Sequence, residues 1–434
     1  MKKQTFETLR LDAIVGGGQA LGTLESGKKA FAWGGLPDET VKIRVTKSKS
    51  KFVEGIVEEV LEASKRRTPP REPDSYLSTS PWQLMSFETE QHYKAALIEE
   101  AFELHNIVLP EAIEVYSNNT EYEYRNKVEF SWFGDITDGV ETLDLAFFRR
   151  GSKGKIAVDG TSLAKPEINK LAREIRDLLA TKRVEARSLK TLLIRSDQNG
   201  NCVWQLYVKD KLPDIITTSE ATALSAQGGE IIYSDPKSPA SRITKRLAMF
   251  GDVTIQDELL GTTFRYACEG FFQVNLPIYE QALRDMSKWL DEKPVVDMYS
   301  GVGTIGLTIG GNDATLVEID ENAVREMKRN IKELGRSAQA VLAPSEKALD
   351  YITTVKIIIV DPPRAGLHAD VIARLLETRP ERIIYLSCNP VTQARDVAML
   401  ADSYGIRHHR GYNFFPRTPH IEHLVILDLL PVES

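Results

Sequence analysis

After about Phe264 short apolar segments alternate with helical stretches, and this rhythm constrains the fold more than any other feature of the chain. PVVDMY, ATLVEID, KIIIVD, RIIYLSC and HLVILDLL are apolar on both faces, as strands must be when helices cover both sides of a sheet. Strands joined through helices lie parallel, so residues 265–434 read as a doubly wound α/β domain. In such a sheet the ligand crevice lies outside the carboxyl ends of the strands. The residues at those ends are therefore the ones to inspect.

Val295-Val296-Asp297-Met298-Tyr299 runs straight into Ser300-Gly301-Val302-Gly303-Thr304-Ile305-Gly306, a glycine-rich turn that opens a helix. A nucleotide-like ligand needs glycine there because a Cβ would hold it off the backbone, while the helix N-terminus offers free N–H groups. Glu318 ends the next strand, where a carboxylate can accept hydrogen bonds from both hydroxyls of a ribose. By itself this pattern fits a nicotinamide dinucleotide as well as S-adenosylmethionine, and equally a plain tight turn.

Two further motifs close strands of the same sheet, Asp361-Pro362-Pro363-Arg364 and Ser387-Cys388-Asn389-Pro390. A cysteine after an apolar strand is most often a small buried hydrophobe, but Cys388 sits where the chain must turn, which suits a nucleophile. Glu422 starts the last strand and in a parallel sheet would fall on the wrong edge. Its connection from the preceding strand, around Ile406 to Tyr412, is Asn413-Phe414-Phe415-Pro416-Arg417-Thr418-Pro419-His420-Ile421, too short and too proline-rich for a crossover helix. The last strand is therefore expected to run antiparallel, which brings Glu422 to the edge that carries Asp361 and Cys388. From spacing alone, a solvated glutamate at a strand end accounts for it equally well.

The rest of the chain has a different grammar. From Thr5 to about Leu61, FETLRLDAI, KKAFAWG and TVKIRVTKSKSKFVEGIVEEVLEA alternate between glycine-rich breaks, as in a small closed β-barrel of the oligonucleotide-binding type. Ser64 to Pro81 reads as a linker or irregular excursion. Helical periodicity runs from about Glu88 to His105, a helix placed to pack on the catalytic domain. YRNKVEFSWF and TLDLAFFRRG then suggest an antiparallel sheet in a central α+β domain. The expected domains are 1–63, 64–264 and 265–434. A net charge of −7 hides an asymmetry: residues 1–71 hold 14 Lys and Arg against 9 Asp and Glu, so the N-terminal piece is the basic one. Cys202, Cys268 and Cys388 are far apart, which argues against disulfides or a metal site. No apolar run is long enough to span a membrane and the first residues lack a signal core, so a cytoplasmic protein is expected; it is also expected to be a monomer.

A thiolate, a carboxylate and a methyl donor on one edge suit one reaction in particular. Carbon 5 of uracil accepts a methyl group only after a thiolate adds to carbon 6, and a base must then remove the carbon-5 proton. In agreement, Phe271-Phe272-Gln273-Val274-Asn275, DMYSGVGTIGL, DPPRAGL, SCNP and FPRTPHIEHLV, in that order, resemble the RNA 5-methyluridine (uracil-C5) methyltransferase family. The likeness extends more weakly to the N-terminal barrel, which is similar to a TRAM domain, and to Tyr124-Arg125-Asn126-Lys127. It implies a Rossmann-like class I methyltransferase domain and an RNA substrate, ribosomal ahead of transfer RNA. It also implies Cys388 as nucleophile and Glu422 as base, with Gln273, Tyr299, Thr304, Glu318 and Asp361 contacting S-adenosylmethionine. Phe271 and Phe272 could equally be core, and Asp361 a turn-former. A further cofactor contact falls near Ala343 to Ser345 and is not assigned to a residue. Many ribosomal RNA members of the family hold an iron–sulfur cluster on four cysteines. This chain has PPREPDSYLSTSPWQL and Ser162 at those places, so no cluster is expected. Competing readings are an NAD-dependent oxidoreductase, which gives no role to Cys388 with Glu422, a non-catalytic RNA-binding protein, and a cytosine-C5 methyltransferase.

Overall fold

Alternating apolar residues close the N-terminal strands into a barrel. In the computed structural model, which describes residues 4–137 and 140–431, β1 (Phe6–Ile14), β2 (Ala20–Thr23), β3 (Lys29–Trp33), β4 (Thr40–Ser48) and β5 (Phe52–Glu62) form a closed sheet ordered β1-β2-β3-β5-β4. Leu9, Leu11, Ala30, Ala32, Val41, Ile43 and Val53 point inward at every second position, while Lys42 and Lys47 lie over the rings of Phe6 and Phe52 on the outside. The stretch Thr40 to Leu61, read as one alternating run, is a hairpin broken at Lys49-Ser50-Lys51, where polar residues leave nothing to bury. Strand β2 is too short to announce itself in the sequence.

The excursion after the barrel is ordered by polar contacts more than by its prolines. Arg67 forks onto the fully buried Glu39 at 2.5 and 2.7 Å. Glu72 accepts hydrogen bonds from the backbone and hydroxyl of Ser162 at 2.8 and 2.7 Å, and from Gln83 Nε2 at 2.8 Å. Beyond it lies a seven-stranded sheet in the order Lys155–Val158, Asp144–Phe148, Lys127–Phe133, Leu189–Ser196, Cys202–Val208, Gly228–Tyr233 and Lys245–Gly251. It departs from the expected antiparallel pattern at one place, where Cys202–Val208 and Gly228–Tyr233 run parallel.

By contacts the chain divides into two compact units. One takes in Met1–Glu90, Thr120–Ile255 and Pro416–Pro419, and the other Gln91–Asn119, Gln256–Phe415 and His420–Ser434. Helix α1 (Phe87–Glu103) begins in the first and ends in the second. In the first unit, α2 (Pro166–Thr181) starts with proline at its first position and buries Ile168, Leu171, Ala172, Ile175 and Leu179, the helical spacing of a single apolar stripe.

The second unit is built on an eight-stranded sheet of β6 (Val115–Tyr116), β7 (Val295–Met298), β8 (Thr315–Glu318), β9 (Gln339–Leu342), β10 (Ile357–Val360), β11 (Arg382–Ser387), β12 (Tyr404–Tyr412) and β13 (Glu422–Leu429). Its order is β9-β8-β7-β10-β11-β13-β12-β6. Helices α3 (Leu276–Ser287), α4 (Thr304–Ile309), α5 (Glu321–Glu333), α6 (Ala369–Thr378) and α7 (Pro390–Leu400) lie before and between the strands. Every neighbouring pair is parallel except those made by β13, which runs antiparallel to β11 and β12 because residues 413–421 leave no room for a crossover. The strand order reverses between β7 and β10, the place where a doubly wound sheet opens a crevice. Residues 91–119 complete this unit: Ile98, Ala101 and Phe102 of α1 share a core with Val296, Ile358, Ile383 and Val425, and β6 pairs with β12.

Candidate active site

The turn after β7 is shaped by backbone that most residues avoid. Tyr299, Gly301 and Gly303 take φ of 67°, 58° and 90°. For a tyrosine that conformation costs about 1–3 kcal/mol, strain kept only where the surroundings hold it. Ser300 Oγ bonds the carbonyls of Asp297 and Val317 at 2.6 and 3.1 Å, tying the turn to β7 and β8. Glu318 at the end of β8 accepts from the backbone N–H of Gly301 at 2.9 Å and of Ile319 and Asp320 at 2.8 Å. A Cβ on Gly301 would meet nothing within 4 Å, so the space above this turn is open. A Cβ on Gly306 would come within 2.2 Å of Leu316 Cδ2 and 3.1 Å of Asp297 Oδ2, so a larger residue there would force the packing of α4 on β8 to shift. Asp297, fully buried below the turn, accepts from Gly306 N–H at 2.8 Å, and its other oxygen has no hydrogen-bond partner among the described residues. Burial pushes its carboxyl up to about 8, with the Gly306 bond opposing and the charges of Asp361 and Glu318 adding.

The second half of the site lies along the same edge. Asp361 follows β10 and Cys388 follows β11, while Glu422 opens β13. Ser387 pairs with His423 across the antiparallel β11–β13 ladder, so one step further out Cys388 and Glu422 leave the sheet opposite each other. Glu422 is 4% exposed and Cys388 half-buried. Burial raises Glu422 well above the carboxylate range; the charge of Asp361 adds to this and Arg364 opposes it. Asp361 is pushed up to about 7 by burial. The Cys388 thiol rises to about 11 through burial and then the charges of Glu422 and Asp361, against the pull of Arg364. Three acidic groups that disfavour one another's ionised forms thus share one edge, an arrangement found at sites of proton transfer.

Tyr279 on α3 links the halves. Its hydroxyl lies 2.8 Å from Thr304 Oγ1, and besides burial the charges of Asp361, Asp297 and Glu422 oppose its ionisation. Gln273 is buried just ahead of α3. Phe272 is core, stacked 4.0 Å from Tyr266, whereas Phe271 is 71% exposed. Near Ala343 to Ser345, Ser345 is buried. Sequence reasoning passed over Arg364, Tyr279, Asp297 and His420. For Arg364 a signal existed, a cation three residues after Asp361 in the same loop. Tyr279 has none, because its helix is placed only by packing. Cys202 and Cys268 are buried away from solvent. A separate cavity of about 320 Å³, lined by Glu114, Asp285, Lys288, Trp289, His408 and Arg410, has its charges paired among themselves, Arg410 and Lys288 each 2.7 Å from Asp285.

Residues 346–429 match the model of the family described as tRNA (Uracil-5-)-methyltransferase. An uncharacterized RNA methyltransferase of Lactiplantibacillus plantarum is 29% identical over 431 residues, and another of Enterococcus faecalis 26% identical over 436, each alignment covering 92% of both chains. Among solved structures, the Pyrococcus abyssi tRNA (uracil-54, C5)-methyltransferase in complex with S-adenosyl-L-homocysteine has a TM-score of 0.77 at 19% identity, covering 98% of this chain and 100% of that one. At that identity the likeness is one of fold.

Proposed function

We infer that this chain, by its family match and its relatives an RNA methyltransferase dependent on S-adenosylmethionine, acts on carbon 5 of a uridine in ribosomal or transfer RNA. The observation that carries the reading is the placement of Cys388 and Glu422, which strand register sets side by side on the edge that also bears Asp361 and the glycine turn. The open space above Gly301 and the Glu318 carboxylate at the end of β8 fit the cofactor's nucleoside, with Gln273, Tyr299, Thr304 and Asp361 as further contacts. When bound, S-adenosylmethionine supplies an electrophilic methyl group.

The Cys388 thiolate adds to carbon 6 of the uracil, forming the sulfur–carbon bond and moving the ring's π electrons to carbon 5 and oxygen 4. Carbon 5 thereby becomes nucleophilic enough to take the methyl group. Glu422, once ionised, removes the proton from carbon 5; its buried setting makes it a stronger base than an ordinary carboxylate. The carbon–sulfur bond then breaks and the thiolate is restored. The target base must leave its stack to reach a sulfur set at a sheet edge. The proposal assigns RNA affinity to the barrel, residues 1–63, as a TRAM-like module whose lysines meet phosphates, with 64–264 as a central domain and 265–434 as the domain that transfers the methyl group. The protein is proposed to act as a cytoplasmic monomer.

Labelled cofactor and total cellular RNA test the mechanism. Cys388→Ala should abolish both methyl transfer and any covalent protein–RNA species. Glu422→Gln should still attack and methylate but stall before elimination, accumulating a methyl-labelled adduct on a denaturing gel. Methylation by Cys388→Ala, or normal turnover by Glu422→Gln, overturns the reading.

A further inference from the structure

We propose that Arg364 is a catalytic residue, its guanidinium serving as the counter-charge of the Cys388 sulfur both when that sulfur attacks and when it leaves. The inference rests on the uracil-C5 reading above, in which Cys388 is the nucleophile.

The backbone of Arg364 is clamped from the cysteine's own turn. Asn389, the residue after Cys388, donates from Nδ2 to the Arg364 carbonyl at 2.9 Å, and Thr392 Oγ1 donates to the same oxygen at 3.2 Å. Both belong to the start of α7, so the loop after β10 and the turn after β11 hold each other in register. The side chain runs along the edge where Cys388 and Glu422 face each other across the β11–β13 ladder, and its charge there favours the ionised sulfur. Its Nη2 lies 3.1 Å from Nδ1 of His420, which precedes Glu422 by two residues. A guanidinium can only donate, so His420 offers a lone pair at Nδ1, and the ring making this contact is neutral with its proton on Nε2. Arginine suits the position better than lysine because its planar fork can serve the histidine and the sulfur with different N–H groups.

The charges acting on Cys388 decide what this contact does. Glu422 and Asp361 both disfavour a negative sulfur, as does burial, while Arg364 favours it. Removing Arg364 leaves the thiol with two carboxylates and no offsetting charge from that loop. In the reaction the Sγ–H proton passes to solvent, which reaches the half-exposed sulfur, and the arginine stays charged throughout. Attack carries the sulfur's electron pair into the new bond to carbon 6. Elimination returns that pair to sulfur, again facing the guanidinium.

The test reads the sulfur directly and needs no RNA. Full-length protein is alkylated with iodoacetamide between pH 7 and 10, and the rate at Cys388 is followed by peptide mass spectrometry, Cys202 and Cys268 being buried. Arg364→Gln should slow alkylation about tenfold at pH 8, the lower end of what a neighbouring opposite charge does to an ionisable group. The rate-versus-pH curve should move up by about one unit, and Arg364→Lys should recover most of the loss. The guanidinium is exposed and its clamps use the backbone carbonyl, so both variants should melt at the wild-type temperature. Alkylation of Arg364→Gln at the wild-type rate across the range overturns the role of Arg364 and leaves the uracil-C5 reading standing. Methylation by Cys388→Ala would instead remove that reading. A slow Arg364→Gln that Arg364→Lys does not rescue also counts against the charge and in favour of shape.

Discussion

Replacing Arg417 by alanine should cost the first unit about 3 kcal/mol. The side chain is 8% exposed and lies within ion-pair distance of the fully buried Glu90 carboxylate, at 3.8 Å, and of Glu121. It donates to the Met85 carbonyl at 2.7 Å, and its guanidinium lies 5.3 Å from the Tyr122 ring centre and 5.6 Å from that of Phe87. Removing one partner of a buried pair costs about 3–5 kcal/mol because the other charge stays buried. The lower end applies here, since the backbone N–H of residue 417 still donates to both Glu90 oxygens, at 3.0 and 2.9 Å. Arg417 also has φ of 65°, a region in which any residue with a Cβ pays roughly 1–2 kcal/mol. Arg417→Gly should therefore be less damaging than Arg417→Ala by about 1 kcal/mol, although glycine is usually the more destabilising choice. Urea unfolding followed by tryptophan fluorescence suits the measurement, because Trp33, Trp82, Trp132 and Trp204 all belong to the first unit. A loss below about 1 kcal/mol for alanine, or a glycine variant no better than alanine, refutes the reasoning.

Two further outcomes follow from the second unit. Gly306→Ala would drive a methyl group into Leu316 and against Asp297, so it should destabilise the unit by about 1–3 kcal/mol and remove the thermal shift produced by S-adenosylmethionine; a wild-type shift contradicts the packing argument. His423 is fully buried, and burial with the charges of His409 and His408 holds its pKa well below the usual value. The unfolded chain then binds a proton near pH 6.5 that the folded chain refuses, so its contribution is intact above that pH and stability falls as pH drops below it, by up to about 1.4 kcal/mol per unit. His423→Gln should flatten that part of the stability profile, and an unchanged slope between pH 6.5 and 5 counts against it.

What the linear sequence determined here is whatever depends on neighbours along the chain. Glycine at 301 and 303 follows from the backbone angles of the turn, and the antiparallel direction of β13 from a connection too short for a helix. The strand-closing positions of Asp361 and Cys388 follow from apolar runs that stop just before them. Where local signals are weak, the reading failed for a physical reason. Strands β2 and β9 are four residues each and β6 only two, so their pairing is set by the sheet they join more than by their own pattern. Residues 91–119 look like the middle of the chain but complete the second unit, because Ile98 and Phe102 find their apolar surface there. Only tertiary structure could decide that the loop of Arg364 is tied to the turn after Cys388, that Tyr279 reaches Thr304 beside the glycine turn, and that Glu72, Gln83 and Ser162 order the excursion after the barrel. A charge or hydroxyl in sequence carries no mark of its partner. Its ionisation and its worth are set by burial and by groups that arrive from tens to hundreds of residues away.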